Sequence, residues 1–176
     1  MRKAAAVLTI GLLALVVEGA LAPWLPIRFV PDASLLATVA AALVLGPAEG
    51  LVAAAVFGFS ADVLSGTLLG QQAMLRVLEL SITRVFASQL DLGRGLPLTI
   101  FVAFLSVADG ALLVMQSRFF LDLSFHWAEA SRLLVRALVT GVFATPASSL
   151  ARAIADRLEE SQARREMRLD TKRPAL

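Results

Sequence analysis

The chain has 176 residues, 58% of them hydrophobic and only 17% charged, with mean hydropathy +0.78. Soluble globular domains carry about a quarter charged residues, so this apolar excess points to a lipid environment. The absence of cysteine and the single histidine, His126, exclude thiolate metal sites, disulfides, cysteine nucleophiles and multi-histidine zinc or haem sets. No glycine-rich phosphate loop and no G-x-S-x-G elbow occurs, so the sequence indicates no catalysis, no cofactor and no metal.

A membrane span needs about 20 apolar residues. The first is predicted over 4–22. Its start, with Arg2, Lys3 and the later Ala20-Leu21-Ala22, also looks like a signal peptide. The run is long enough to span and carries Glu18, so a retained span is expected. Pro23, Pro26 and Pro31 keep the following loop non-helical, and Trp24 suits a membrane interface. The second span, over 33–45, is short and stops at Gly46-Pro47. The third is predicted over 48–64, ending at Ser65-Gly66, and the fourth over 69–88. A polar turn from Asp91 to Gly95 leads to the fifth, over 96–115. A loop from Ser117 to His126 precedes the sixth, over 128–150. Residues 1–150 thus read as one transmembrane domain, and 151–176 as a basic tail, helical at first, with Glu160 and Arg164 four apart.

The fold class is an all-α integral membrane protein, a compact bundle of about six transmembrane helices. With six spans, Arg2, Lys3, Arg84, Arg94, Arg152, Arg157 and the tail cations share one side, against Arg28 and Arg118 on the other. The positive-inside rule then makes both termini cytoplasmic. A re-entrant hairpin at Gly46-Pro47 would leave five spans or fewer and break this parity.

Charges inside spans are costly and informative. Glu18, Asp62, Arg76, Glu79, Asp109, Arg132 and Arg136 all fall in the outer half of their spans on this topology. Gln72, Arg76, Glu79 and Thr83 share one helical stripe, and so do Glu129, Arg132, Arg136 and Thr140. On the third span Gly50, Ala54, Gly58 and Asp62 repeat every four residues, a spacing that lets helices approach closely. Gly66 and Gly70 continue the count beside turns.

Two readings of the charges stay open. They are interhelical ion pairs that hold the bundle, or an anion site in which Arg76, Arg132 and Arg136 grip phosphate or carboxylate. Acid–base work by Asp62, Glu79 or Asp109 in a lipid-handling enzyme is a third and weaker reading. The tail cations Arg164, Arg165, Arg168, Lys172 and Arg173 suit membrane lipids or a cytoplasmic partner. No aromatic platform accompanies them, so nucleic-acid binding is not expected.

Pro31-Asp32 opens the second span and Gly46-Pro47 closes it; Gly50 and Gly58 line the third; Asp62-Val63-Leu64-Ser65-Gly66 follows, with Gly70 four residues on. This order resembles the rod-shape-determining protein MreD family, with the match concentrated in 31–72. The resemblance implies a small six-span protein of the bacterial inner membrane with a short basic tail. It implies a non-catalytic scaffold subunit of the peptidoglycan elongation machinery, beside MreC, a single-span partner. MreB filaments, the RodA glycosyltransferase and its transpeptidase complete that assembly. The fold it implies is similar to the substrate-binding subunits of energy-coupling-factor transporters. On this reading the apolar outer surface docks the helix of an MreC-like partner, with Asp62 and the small-residue face needed for packing. The alternative is a transporter subunit that captures a small anion through its arginines.

Overall fold

The computed structural model describes residues 2–26, 29–66, 69–89, 92, 95–121 and 127–170, and within these no side chain of 116–121, 127–130 or 161–170. The side chains of Arg28, Asp91, Arg94, Arg118, His126, Glu129 and the tail cations from Arg164 onward lie outside the described residues. Six helices follow one another: α1 (Arg2–Leu21), α2 (Ala33–Val44), α3 (Pro47–Ser65), α4 (Gln71–Gln89), α5 (Leu96–Leu121) and α6 (Trp127–Asp170).

Local chemistry sets the breaks. Leu45 is extended and ends α2; Gly46 and Pro47 then start α3, with the proline in the first turn, where its missing N–H is not needed. Gly66 closes α3 in the left-handed region at φ 65°, which costs glycine nothing. Two helices run past their apolar stretches. α5 extends to Leu121 rather than ending near 115, and α6 continues from the bundle through the tail to Asp170. Neither extension meets a Gly or Pro before the helix ends, so no local signal stops the helix where its hydrophobicity fades.

Among the described residues, four helices are long and apolar enough to cross a membrane: Arg2–Leu21, Pro47–Ser65, Leu96–Met115 and Ser131–Glu160. The other two fall short for different reasons. The 12 residues of α2 reach about 18 Å, against about 30 Å of hydrocarbon. α4 carries Arg76, Glu79 and Arg84 within 19 residues.

The shorter of these, α2, is the helix the bundle encloses most. α2 packs against all five other helices, and most of its residues are buried. Leu35, Ala41 and Thr38 are wholly inaccessible. One apolar core joins α1, α2 and α3 around Phe57 and Leu15. A second joins α2 to α5 and α6 around Leu98, Val102 and Ala144. The outer faces are apolar too: Leu13, Val52, Val85, Phe104 and Leu138 are all exposed. In water such a surface would cost about 25 cal/mol per Å²; in a bilayer it meets its own kind.

Candidate functional site, a buried arginine network

The polar interior begins with the start of α4. A helix N-terminus leaves backbone N–H groups without intrahelical acceptors. Here Asp62, wholly buried near the end of α3, supplies them with a carboxylate. Its Oδ1 accepts the Gln72 N–H at 2.9 Å, and its Oδ2 accepts those of Gly70 at 2.8 Å and Ala73 at 3.4 Å. The carboxylate also meets the positive end of the α4 dipole. Close approach makes this possible. A Cβ on Gly58 would sit on the backbone of Ala73 and 2.5 Å from the Gln72 carbonyl oxygen.

Once α4 is placed, its inward stripe carries Gln72, Arg76, Glu79 and Thr83. Arg76 is the largest fully buried side chain, 1% exposed. Its Nη1 donates to Glu79 Oε2 at 2.5 Å. Its Nη2 is shared among Asp32 Oδ2 at 3.2 Å, Asp109 Oδ2 at 3.1 Å and Gln72 Oε1 at 3.1 Å. One guanidinium thus stands at the focus of three carboxylates that come from α4, α5 and the residue before α2.

Asp32 is the hinge of the network. Its Oδ1 caps α2 by accepting the Leu35 N–H at 2.9 Å and the Ser34 hydroxyl at 2.7 Å. Its Oδ2 faces Arg76 and, at 3.5 Å, Arg136 of α6. Its own N–H donates to Thr140 Oγ1 at 3.1 Å. Arg136 also pairs with Glu18 Oε1 at 3.2 Å, while Glu18 Oε2 accepts the Ala33 N–H at 2.9 Å. Charged side chains of α1, α4, α5 and α6 therefore converge on the N-terminus of α2. Buried Nε atoms of Arg76 and Arg136 and Oδ1 of Asp109 have no hydrogen-bond partner among the described residues. The network's value to stability is thus smaller than its ion pairs alone suggest.

The structure brings Glu18, Arg76, Glu79, Asp109 and Arg136 into one network and adds Asp32, which the sequence reading used only as the opening of a span. Asp62 stands apart at the α4 N-terminus. Arg132 is exposed on α6, one turn from Arg136, and the described contacts do not bring it into the network, which corrects its placement in the cluster. Gly50, Ala54 and Gly58 are buried. The stripe meets α4, where added Cβ atoms on Gly50 and Gly58 would strike Arg84 and Ala73. This face is spent inside the bundle, packed against α4. Gly66 and Gly70 do not pack: both have positive φ and open space around the missing Cβ.

No group of three or more His, Cys, Asp or Glu among the described residues could hold a metal ion; Arg76 occupies the point where three carboxylates meet. A second polar group marks the other end of the bundle. Arg84 donates to the carbonyls of Leu45, Gly46 and Pro47, and Lys3 pairs with Glu159.

These features define a helical membrane protein braced by a buried ion-pair network rather than built around an open polar site. The family model described as rod shape-determining protein MreD matches residues 2–154 of the 176. The chain belongs to this family, and its role is therefore in determining rod shape. No curated protein and no solved structure matches the chain. The expected likeness to transporter subunits gains nothing from these comparisons.

Proposed function

We propose that this protein is a non-catalytic inner-membrane scaffold subunit of the bacterial cell-elongation complex, docking an MreC-like single-span partner on its apolar outer surface. Family membership supports the setting. The observation that favours a scaffold is the state of Arg76. The guanidinium that a capture site would offer to an anion is 1% exposed and already held by Asp32, Glu79 and Asp109. A brace of this kind fixes the relative positions of helices, as a docking platform requires.

Both termini are cytoplasmic on this reading. Its support is the positive-inside rule and the gathering of Lys3, Arg84 and Arg152 at the end of the bundle opposite Glu18 and Asp32. MreB, the RodA glycosyltransferase and its transpeptidase are further members of the assembly.

The test is affinity purification from native membranes in mild detergent, with mass spectrometry of proteins and small molecules. Co-purification of an MreC-like single-span protein supports the scaffold. Recovery of a transporter ATPase pair, or of a bound vitamin, overturns it. Because the chain has no cysteine, a Glu49→Cys variant tests orientation: labelling by an impermeant maleimide from outside the cell would reverse it.

A further inference from the structure

The buried network holds more acids than bases. Glu18, Asp32, Glu79 and Asp109 stand against Arg76 and Arg136, four carboxyl groups to two guanidinium groups. Fully ionised, the set would carry surplus negative charge inside the bundle. No other described side chain neutralises it. Arg132 is exposed one turn along α6, and Arg84 lies at the opposite end of α4, on the carbonyls of the α2–α3 turn. Asp62 is taken up by the N-terminus of α4. Glu18 and Arg136 stand at the margin, with side chains 21% and 30% exposed. Asp32, Glu79 and Asp109 are enclosed. A buried carboxylate without a full partner is costly, and a proton relieves that cost by neutralising it.

The contacts single out Asp109. Asp32 is held as an anion: Oδ1 accepts the Leu35 N–H and the Ser34 hydroxyl, and Oδ2 faces both arginines. Glu79 has the Nη1 of Arg76 at 2.5 Å. Asp109 has only a share of Nη2, which also serves Asp32 and Gln72. Its other oxygen, Oδ1, is buried with no hydrogen-bond partner among the described residues, and the residue is 5% exposed. An ionised carboxylate would leave a bare anionic oxygen there. A protonated carboxyl group puts its hydrogen on Oδ1 and keeps Oδ2 as the carbonyl oxygen that accepts from Arg76. Asp109 is also the only charged side chain between 96 and 115, so nothing on its own helix offsets it.

We infer that the network is a proton-binding site, with the proton on Oδ1 of Asp109. The neutral form lets α5 pack against α2 and α6 at this depth. Release of the proton would set a third negative charge beside Asp32 and Glu79 around one guanidinium. The site thus ties the seating of α5 to proton activity, whichever protein docks on the outer surface.

The experiment is infrared spectroscopy of the full chain in lipid nanodiscs, which separates the carbonyl stretch of a protonated carboxyl group from the bands of ionised carboxylates. At neutral pH the native protein shows a protonated-carboxyl band that shifts in deuterium oxide. Heavy-carbon labelling of aspartate carboxyl groups moves this band, and the same labelling of glutamate does not. Asp109→Asn, isosteric with the neutral form, lacks it. Thermal unfolding in detergent verifies that the variant is folded and supplies a second readout. A folded chain that binds one proton more than the unfolded chain loses stability as pH rises. The native protein therefore loses stability relative to Asp109→Asn above about pH 4, where an ordinary aspartate ionises, by up to about tenfold in the folding equilibrium per pH unit. A native protein with no protonated-carboxyl band at neutral pH overturns the proposal, whether or not the variant folds, and so does a band that moves with glutamate labelling. Survival of the band in folded Asp109→Asn, or a stability difference that stays constant with pH, overturns the assignment to Asp109.

Discussion

The carboxylate of Asp62 accepts the backbone N–H of Gln72 at 2.9 Å, so the end of α3 caps the beginning of α4 across a turn. The intervening glycines reverse the chain, and Asp62 makes the reversal stable. Asp62→Ala strands three part-buried N–H groups and is expected to cost about 1–2 kcal/mol. Asp62→Asn keeps an acceptor oxygen and costs less. Unfolding in mixed micelles measures both, and hydrogen exchange at Gly70, Gln72 and Ala73 rises in the alanine variant first.

Arg76 separates carboxylates that would otherwise face one another unneutralised. Arg76→Met is expected to destabilise by about 3–5 kcal/mol, because it leaves buried charge uncompensated. Adding Glu79→Gln and Asp109→Asn to that variant restores part of the loss. The non-additivity, above about 1 kcal/mol in a mutant cycle, is the signature of one network. Strictly additive losses in micelle unfolding would show that these residues act separately.

Gly58 and Gly66 lie eight residues apart in sequence, but an added methyl group meets backbone at the first and open space at the second. Gly58→Ala puts a methyl group on the Ala73 backbone, so α3 and α4 must separate. Its expected net effect is a loss of about 1–3 kcal/mol, despite the better helix propensity of alanine. Gly66→Ala meets open space and pays only for φ at 65°, about 1 kcal/mol. Melting temperatures in detergent should rank Gly58→Ala below Gly66→Ala.

Arg84 holds the turn between α2 and α3 through three carbonyls, with Nη2 at 2.7 Å from the Gly46 oxygen and Nη1 at 2.9 Å from that of Pro47. These are charge-assisted bonds to carbonyls of the turn that links the two helices. Arg84→Ala is expected to cost about 1.5–3 kcal/mol. Arg84→Lys recovers only part, because a single ammonium cannot span the fork. A cysteine placed at Glu49 becomes more accessible to label in the alanine variant than in the native background.

Much of this arrangement is legible in residue spacing. The α4 stripe, Gln72 through Thr83, faces inward because polar groups at that spacing in an apolar helix have nowhere else to go. Asp32 was the missed residue. A carboxylate directly before an apolar helix start, with Ser34 two residues on, is an N-cap signal. It reads as a local cap, however, and nothing local says that the same carboxylate meets Arg76, 44 residues away. Arg132 and Arg136 show the reverse error. They share a stripe and a charge, but Arg136 meets Glu18 and Asp32 while Arg132 is exposed, and that difference is set by neighbouring helices.

What the sequence determined by itself is the medium and the elements. Long apolar runs interrupted by Pro31, Gly46-Pro47 and Gly66 specify membrane helices and their breaks, because hydrophobicity and backbone conformation are local properties. Tertiary structure alone decided which charges meet. The short α2 is drawn to the centre, where four neighbouring elements can place Glu18, Arg76, Asp109 and Arg136 around its first turn. Ion pairing in a low-dielectric interior depends on distances of a few ångströms between residues distant in sequence, and only the packed bundle sets those distances.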